Sequence, residues 1–190
     1  MPPGPYCLKV SLRDSAPLIW RKIVVPADLT LFDLHLVLQA TMGWHNDHMY
    51  EFVIARKRYG YPPDNIPFFG TKDATAVHLY QVVSKPGTRF IYEYDFGDSW
   101  KHDIILEDIL PDSYPLPHPI CLDGQRACPP EDCGGIFSYM NMLPVLADPK
   151  HPQYKDLRQW LGTRSNPATF NKSNVNAKLK QVINNSSILY

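Results

Sequence analysis

The segment 90–107 constrains the fold more than any other part of the sequence, because its side chains alternate in two runs around a polar centre. Every second residue of 90–94 is aromatic, and in 100–107 a tryptophan, a histidine, an isoleucine and a leucine share one parity. The connection 95–99 contains two aspartates, a glycine and a serine, which favour tight turns. The pattern predicts an antiparallel hairpin with one face in the core.

Strand patterns also cover 6–12, 19–25 and 50–54, and the first two are expected to pair as an antiparallel hairpin. Two long stretches, 56–76 and 111–130, are rich in proline and other turn-forming residues, so they are expected to be irregular loops. Proline makes up 19 of the 190 residues, about twice its ordinary share, which favours long and stiff connections.

A helix is predicted for 31–42, where leucines and a methionine repeat at helical spacing. Thr30 is expected to cap its first turn and Gly43 to end it. Shorter helical patterns follow at 139–146, 154–161 and 172–183. Because strands come first and helices later, we expect a single α+β domain over 1–190, with a mainly antiparallel sheet, helices packed against it and a frayed tail at 184–190.

The composition argues against several classes of protein. Lys+Arg and Asp+Glu are 19 each, and this formal net charge of zero weakens the case for nucleic-acid or anionic-membrane binding. No stretch approaches the ~20 apolar residues that span a bilayer, and the N-terminus lacks the basic start and apolar run of a secretory signal. We therefore expect a cytoplasmic protein with reduced thiols and no membrane partner.

Clustered thiols suggest a metal site. Three of the four cysteines lie within thirteen positions: Cys121, Cys128 and Cys133. Three thiolates and one imidazole are a common closed ligand set for zinc, so one hypothesis is a zinc ion held by these cysteines and His102. His48 and His118 are the other candidates for the fourth ligand. Since the spacing is looser than in zinc fingers, the alternative is that the thiols pack an irregular segment onto the core.

A second cluster at the hairpin turn consists of Asp95, Asp98 and His102. Two carboxylates and an imidazole could supply a general base with its orienting group, or bind a divalent metal, and these are the candidate catalytic residues. Alternatively, the aspartates bond to turn amides while His102 faces the core. In that case Gly97 is expected at positive φ, and Trp100 is expected to be buried with its indole N–H hydrogen-bonded.

Two further segments carry weaker signals. His48 and Glu51 follow the end of the predicted helix, but they face opposite sides of an extended strand, so a solvated loop is favoured over shared ligation. The run from Arg56 to Arg58 lies beside tyrosines and could hold phosphates and stack bases. One short basic run in a neutral chain favours a plain loop instead.

Several strings occur together in this chain: PLIWRK with VP, MGW followed by His48 and EF, YEYDFGDSW followed by His102, CLDG, and ACPPEDCGG. With these strings the sequence resembles the plasmid pRiA ORF-3-like family of bacteria and archaea over residues 6–183. Tyr50 departs from the pattern, because many relatives have a second histidine there after His48. If the family uses that pair as ligands, one is missing here.

The resemblance implies a single α+β domain in the cytoplasm and no established reaction. Some members are labelled resolvase-like passengers of insertion elements, although no recombinase motif occurs in this sequence. Within the matching strings, the residues expected to bind a partner are Trp20, Arg21, Trp44, His48 and Trp100.

The leading hypothesis is a binding or accessory module, not an enzyme, with a groove near residues 95–102 and the cysteine loop. Its expected partner is a protein or a peptide, and the oligomeric state is left open. Exposed aromatic anchors are expected among four residues: Tyr59, Tyr61, Phe68 and Phe69.

The alternative hypothesis is a metal-dependent hydrolase-like enzyme that uses Asp95, Asp98 and His102. A weaker one is a nucleic-acid-binding accessory protein of a mobile element, acting through residues 56–58. The first two hypotheses differ in one observable feature. An enzyme requires Asp98 and His102 together in an open cleft, whereas a module buries His102.

Overall fold

A single sheet joins the strands in the computed structural model, which describes residues 2–60, 70–162 and 166–186. The strands are β1 (Tyr6–Leu12), β2 (Trp20–Val25), β3 (Tyr50–Ile54), β4 (Lys57–Gly60), β5 (Lys72–Asp73), β6 (Arg89–Tyr94), β7 (Trp100–Ile109) and β8 (Ile120–Gln125). Within the described residues their order is β5-β4-β3-β6-β7-β1-β2-β8. Every neighbouring pair is antiparallel except β4 and β5, so the predicted α+β class is confirmed.

The predicted hairpin lies at the centre of this sheet. β6 and β7 pair with Tyr94 opposite Trp100 and Tyr92 opposite His102. β7 is flanked on its other side by β1, whose residues at alternate positions are fully buried. One face of β6 and β7 is buried and the other is less so, and this difference produces the regular alternation of the sequence.

Five helices accompany the sheet in the described residues: α1 (Leu31–Met42), α2 (Leu79–Val82), α3 (Gly135–Ala147), α4 (Tyr154–Leu161) and α5 (Lys172–Ser186). α1 begins with a capping box, in which Thr30 Oγ1 accepts from the Asp33 amide at 3.0 Å and Asp33 Oδ2 accepts from the Thr30 amide at 3.1 Å. It ends at Gly43, whose φ of 95° is costly for a residue with a Cβ. Both ends were predicted from the sequence.

The two stretches expected to be irregular both contain strands. β4 and β5 form within 56–76, of which residues 61–69 lie outside the described residues, and β8 forms within 111–130. These strands lie at or near the sheet edges and have few buried side chains, so their sequences carry no clear alternation.

Two helix boundaries also differ from the expectation. α3 starts four residues earlier than predicted, at a Gly–Gly pair with positive φ that helix propensity disfavours. α5 continues to Ser186 through the first part of the segment predicted to fray, and residues 187–190 lie outside the described part.

Three loops meet beside the end of the β6–β7 hairpin, and we call them together the loop rim: residues 44–49, 95–99 and 129–134. Backbone and side-chain hydrogen bonds join them, among them Asp95 N to Met49 O at 2.8 Å and Trp44 Nε1 to Pro129 O at 3.0 Å. No helix in the described part of the chain has the length and apolar character needed to cross a bilayer.

Candidate functional site

The catalytic set expected from the sequence is not assembled. His102 is 0% exposed, and its Nδ1 lies 3.1 Å from the carbonyl oxygen of Trp100 in its own strand. Burial lowers the pKa of His102 to about 4, so the imidazole is neutral at pH 7. Among the described residues, His102 belongs to no group of three metal-ligating side chains, and it does not share an open cleft with Asp98.

The hairpin turn uses its carboxylates for structure, as the alternative interpretation predicts. Asp95 Oδ1 accepts from the amides of Gly97 at 2.9 Å and Asp98 at 3.3 Å, and Asp98 Oδ2 accepts from the Gly134 amide at 3.1 Å. The prediction for Gly97 is wrong: the positive φ values fall on Asp95 (56°) and Ser99 (54°). Aspartate tolerates this conformation when its side chain bonds locally, which the bonds of Asp95 show.

The prediction for Trp100 is confirmed in part. Its side chain is fully buried, but the indole Nε1 has no hydrogen-bond partner within the described residues, and neither does Nε2 of His102. Both side chains lie in an aromatic cluster with Trp44, whose ring is 5.8 Å from Trp100 and 5.4 Å from His102. The packing of these large rings therefore leaves the indole N–H of Trp100 without an acceptor among the described residues.

The three clustered cysteines have separate surroundings. Cys121 Sγ lies 3.3 Å from the Asp123 carbonyl oxygen, and Cys128 Sγ lies 3.4 Å from Met42 Sδ. Burial raises the pKa of Cys121 to about 11 and that of Cys133 to about 12, which favours thiols over thiolates. No group of three metal-ligating residues in the described chain contains any of these cysteines or His102, so the expected zinc ligands do not converge.

Three of the expected binding residues have structural roles. Trp44 is buried, its ring is stacked on Tyr94 at 5.1 Å, and its indole donates to Pro129 O. Trp20 Nε1 lies 3.3 Å from Gln125 Oε1 across the β2–β8 pair. Trp100 is part of the core, whereas Trp20 and His48 are partly exposed and Arg21 lines a cavity.

Only one of the four expected aromatic anchors lies in the described part of the chain, and it is not exposed. Tyr59 is buried in the core, which contradicts its predicted exposure, because its strand pairs with β3 and places it opposite Phe52. The other three, Tyr61, Phe68 and Phe69, lie outside the described residues. In the basic run, Arg58 is engaged in an ion pair with Glu51, which accounts for both of these charged groups.

The loop rim instead brings together His48, Asp95 and Asp132, which we call the rim site. His48 Nε2 lies 3.2 Å from Asp132 Oδ1 and 3.8 Å from Asp95 Oδ2, and the three ligand atoms lie within 4.8 Å of one another. Each residue comes from a different loop. One imidazole and two carboxylates make a mixed nitrogen and oxygen ligand set for a divalent cation.

A second group of the same composition adjoins the rim site. His45, Asp47 and Glu131 also place their ligand atoms within 4.8 Å of one another. His45 Nδ1 lies 2.6 Å from Glu131 Oε2, while Glu131 Oε1 accepts from the Tyr94 hydroxyl at 2.6 Å. The two groups are joined through consecutive residues in two of the loops, 47–48 and 131–132.

A buried hydrogen-bond network holds the first loop of the rim in place. Tyr92 OH lies 2.8 Å from His35 Nδ1 and accepts from Gln39 Nε2 at 2.9 Å. His35 Nε2 lies 2.5 Å from Asn46 Oδ1, and the Asn46 amide donates to Gln39 Oε1 at 3.1 Å. Because α1 and β6 anchor this closed circuit, the loop that carries His48 is fixed by the core.

Sequence reasoning named His48 and Asp95 but missed Asp132 and Glu131. Both acidic residues lie inside the ACPPEDCGG string, in which the cysteines are the more conspicuous metal ligands. A signal was present, because they are consecutive carboxylates in an irregular loop, as Asp47 and His48 are consecutive in another. Only the packing of the two loops shows that they face each other.

The chain therefore combines an antiparallel α+β sheet with a histidine and carboxylate site on three loops. A family model described as plasmid pRiA4b ORF-3-like protein matches residues 5–177, and the chain belongs to this family. It is 40% identical over 157 residues to the uncharacterised protein y4hQ of Sinorhizobium fredii, and the match covers 82% of this chain and 80% of the relative.

A solved structure with the same fold comes from an archaeon. The crystal structure of MM3350, a protein of unknown function from Methanosarcina mazei Go1, shares 35% identity and a TM-score of 0.81, covering 90% of this chain and 96% of that one. Both relatives are themselves described as uncharacterised or of unknown function, so the comparisons establish the family and the fold and leave the activity to be argued from the site.

Proposed function

We propose that this protein is a binding module whose rim site holds one zinc ion and offers it, with adjacent apolar side chains, to a protein or peptide partner. The observation that carries the proposal is the convergence of His48, Asp95 and Asp132 from three separate loops. Three protein ligands leave a fourth position of tetrahedral zinc open to a donor from the partner.

The surroundings of Asp95 support a cation at this place. The residue is largely buried, and its Oδ1 is occupied by two turn amides, but Oδ2 accepts no hydrogen bond within the described residues. The side chain that faces Oδ2 is the imidazole of His48, whose Nε2 lies 3.8 Å away. A buried carboxylate is costly unless it is paired or coordinates a metal, so a cation between Asp95, Asp132 and the imidazole nitrogen would stabilise the loops.

The apolar neighbours of the rim site support a macromolecular partner. Met49 is 45% exposed and Phe96 is 44% exposed, and they follow directly after His48 and Asp95 in the chain. Large exposed apolar side chains beside a polar centre are typical of contact residues in recognition sites. A partner that donates one carboxylate or imidazole to the ion could place apolar side chains on both residues.

Zinc titration followed by calorimetry tests the metal. The metal-free protein should bind one zinc ion, more tightly than magnesium, because imidazole favours zinc. His48→Gln and Asp95→Asn should each weaken zinc binding by at least about ten-fold, the size of effect seen even for residues that only support metal ligands. Asp95→Asn is expected to fold, because an asparagine side chain keeps the turn acceptor and tolerates the φ of 56° at this position.

Matched controls come from the same residue types elsewhere. His118→Gln and Asp112→Asn should bind zinc as the wild type does, since neither residue belongs to a metal-ligating group among the described residues. Equal affinity in the wild type and in His48→Gln would overturn the proposal.

A peptide selection tests the partner. Peptides selected from a phage-displayed library on the zinc-loaded protein should be released by a chelator and should bind more weakly to Phe96→Ser, which removes an exposed ring without touching a ligand. Selected peptides that bind equally well to the chelated protein and to Phe96→Ser would show that the rim is not the contact surface.

A second candidate function is supported by the adjoining group of His45, Asp47 and Glu131. Two neighbouring ligand sets are a feature of two-metal hydrolases, in which both ions act on one substrate. This candidate requires two zinc or manganese ions per chain and metal-dependent hydrolysis of an activated phosphodiester. Binding of one metal ion per chain, without hydrolysis of the phosphodiester, would favour the binding module over the two-metal hydrolase.

A further inference from the structure

A small cavity is lined by residues that precede two loops of the rim, and the charged residues around it are all cationic among the described residues. Its volume is about 250 Å³, and it lies between the C-terminal turn of α1, the first turn of α5 and the segment that holds Cys128. The charged residues that line it are Arg21 and Lys178, and no aspartate or glutamate among the described residues lines it. None of the rim-site residues lines this cavity, so the argument here does not use the proposed zinc ion.

Arg21 is the more unusual of the two cations because it is 2% exposed. Its guanidinium donates to the carbonyl oxygens of Trp20, Gln125 and Arg126 at 2.8 to 2.9 Å. Within the described residues it forms no ion pair, and its Nε has no hydrogen-bond partner. Carbonyl dipoles orient a guanidinium but do not neutralise it, and a buried charge without a counter-ion is unfavourable.

The guanidinium end of Arg21 lies at the wall of the cavity. Nη2 is 3.3 Å from Cys128 Sγ, and the Phe170 ring covers the guanidinium carbon at 4.2 Å. Both contact residues also line the cavity. The positive charge of Arg21 therefore acts on this space and not on bulk solvent.

Lys178 adds positive potential to the same space. Lys178 Nζ lies 3.7 Å from where a Cβ on Gly43 would stand, and the residue has no ion pair among the described residues. Both cations act on the Cys128 thiol, lowering its pKa against a larger rise caused by burial. Residues of the first turns of α5 also line the cavity, and there Asn171 Oδ1 accepts from the Asn174 amide at 2.9 Å.

We propose that this cavity binds a phosphate group, either as inorganic phosphate or as the terminal group of a small phosphomonoester. Two cations without acidic partners supply the positive charge that a phosphate group prefers. Both Nη atoms of Arg21 already donate to carbonyl oxygens and to Cys128 Sγ, so Arg21 contributes charge and the Lys178 ammonium contributes hydrogen-bond donors. The polar side chains of Thr41, Thr169 and Asn174, which also line the cavity, supply further hydrogen bonds. The volume equals that of about eight water molecules, enough for a phosphate and a short organic remainder but not for a nucleotide.

Phosphorus-31 NMR and calorimetric titration with inorganic phosphate test the inference. The titrations use metal-free protein with a chelator present, at constant ionic strength set by sodium chloride, so that neither the rim site nor general screening contributes. Lys178→Gln should weaken phosphate binding by about five-fold, as expected for the loss of one partly exposed ion pair. Lys180→Gln is the matched control, because Lys180 is exposed on the same helix and does not line the cavity.

Two further measurements keep the result decisive. Amide resonances of Gly43 and Asn174 should shift on addition of phosphate, whereas shifts confined to other surfaces overturn the proposal. Lys178 could instead serve only to offset the carbonyl dipoles at the end of α1. In that case Lys178→Gln lowers the melting temperature and leaves phosphate affinity unchanged, which also overturns it.

The source of the phosphate group is decided by comparing probes. Tighter binding of glycerol 3-phosphate than of inorganic phosphate identifies a phosphomonoester ligand, and the reverse order identifies free phosphate. Binding of acetate as strong as that of phosphate shows that the cavity takes any small anion and refutes the assignment. Arg21→Lys is informative as a supplementary variant where it folds, because it keeps the charge and loses the planar donor geometry.

Discussion

Mild acid should destabilise this protein strongly, because two histidines are buried in neutral form. Burial lowers the pKa of both His35 and His102 from 6.5 to about 4. In His35 the neutral ring is also matched to its partners: Nε2–H donates to Asn46 Oδ1, so the unprotonated Nδ1 accepts from the Tyr92 hydroxyl, which itself accepts from Gln39 Nε2. A second ring proton, on Nδ1, would take away the acceptor of the Tyr92 O–H.

The direction and size of the effect follow from proton binding. Below pH 6.5 the unfolded chain binds protons at these histidines that the folded chain does not bind until about pH 4, so the free energy of unfolding falls as the pH falls across this window. The contribution of the neutral histidines to stability is fully present above pH 6.5. Between pH 7 and pH 5 each histidine contributes a loss of about 2 kcal/mol, and the pair about 4 kcal/mol, a large part of the stability of an ordinary domain.

Urea unfolding at pH 7, 6 and 5 measures this loss. His102→Asn and His35→Gln should each reduce the pH dependence by about half, whatever they do to stability at pH 7, and the partly exposed His118→Gln should leave it unchanged. Carboxylates remain mostly ionised over this range, so their contribution is small. A free energy of unfolding that differs by less than about 0.5 kcal/mol between pH 7 and pH 5 would refute the reasoning.

Two further predictions concern the core and the thiols. Leu38→Ala should lower the free energy of unfolding by about 2–5 kcal/mol, because Leu38 lies on the buried face of α1. The exposed Leu18→Ala should lower it by less than about 0.5 kcal/mol. Equal losses in urea unfolding would contradict the orientation of the helix. Cys121 and Cys133 should react slowly with Ellman's reagent at pH 8 in the folded chain and rapidly in concentrated urea. The reason is that burial raises the pKa of Cys121 to about 11 and that of Cys133 to about 12. Fast labelling of these two thiols in the folded protein would show that they are accessible.

The hairpin and α1 show what local sequence determines. Alternation of period two in β6 and β7, and helical spacing between Thr30 and Gly43, each predict an element whose burial pattern the structure reproduces. Such elements can be predicted because one side of each packs in the core, and the spacing of the apolar residues follows from that contact. The burial of His102 could be predicted for the same reason, because it shares its strand face with Ile104 and Leu106.

Edge strands, and helices that begin at glycine, are harder to predict from the sequence. β8 has a single buried residue, so its place beside β2 comes from backbone pairing that leaves little trace in side-chain pattern. The start of α3 depends on Asp98, which supplies a carboxylate to the Gly134 amide from 36 positions away.

Both candidate sites required the tertiary structure. The sequence alone determined the α+β class, the central strands, the main helix and the presence of histidines and carboxylates in loops. It could not show that Asp132 faces His48, or that Arg21 and Lys178 share a cavity without an acidic partner among the described residues. The physical reason is that each of these contacts joins residues that are distant in the chain, and loop residues face whatever the packing of the sheet and helices brings opposite them.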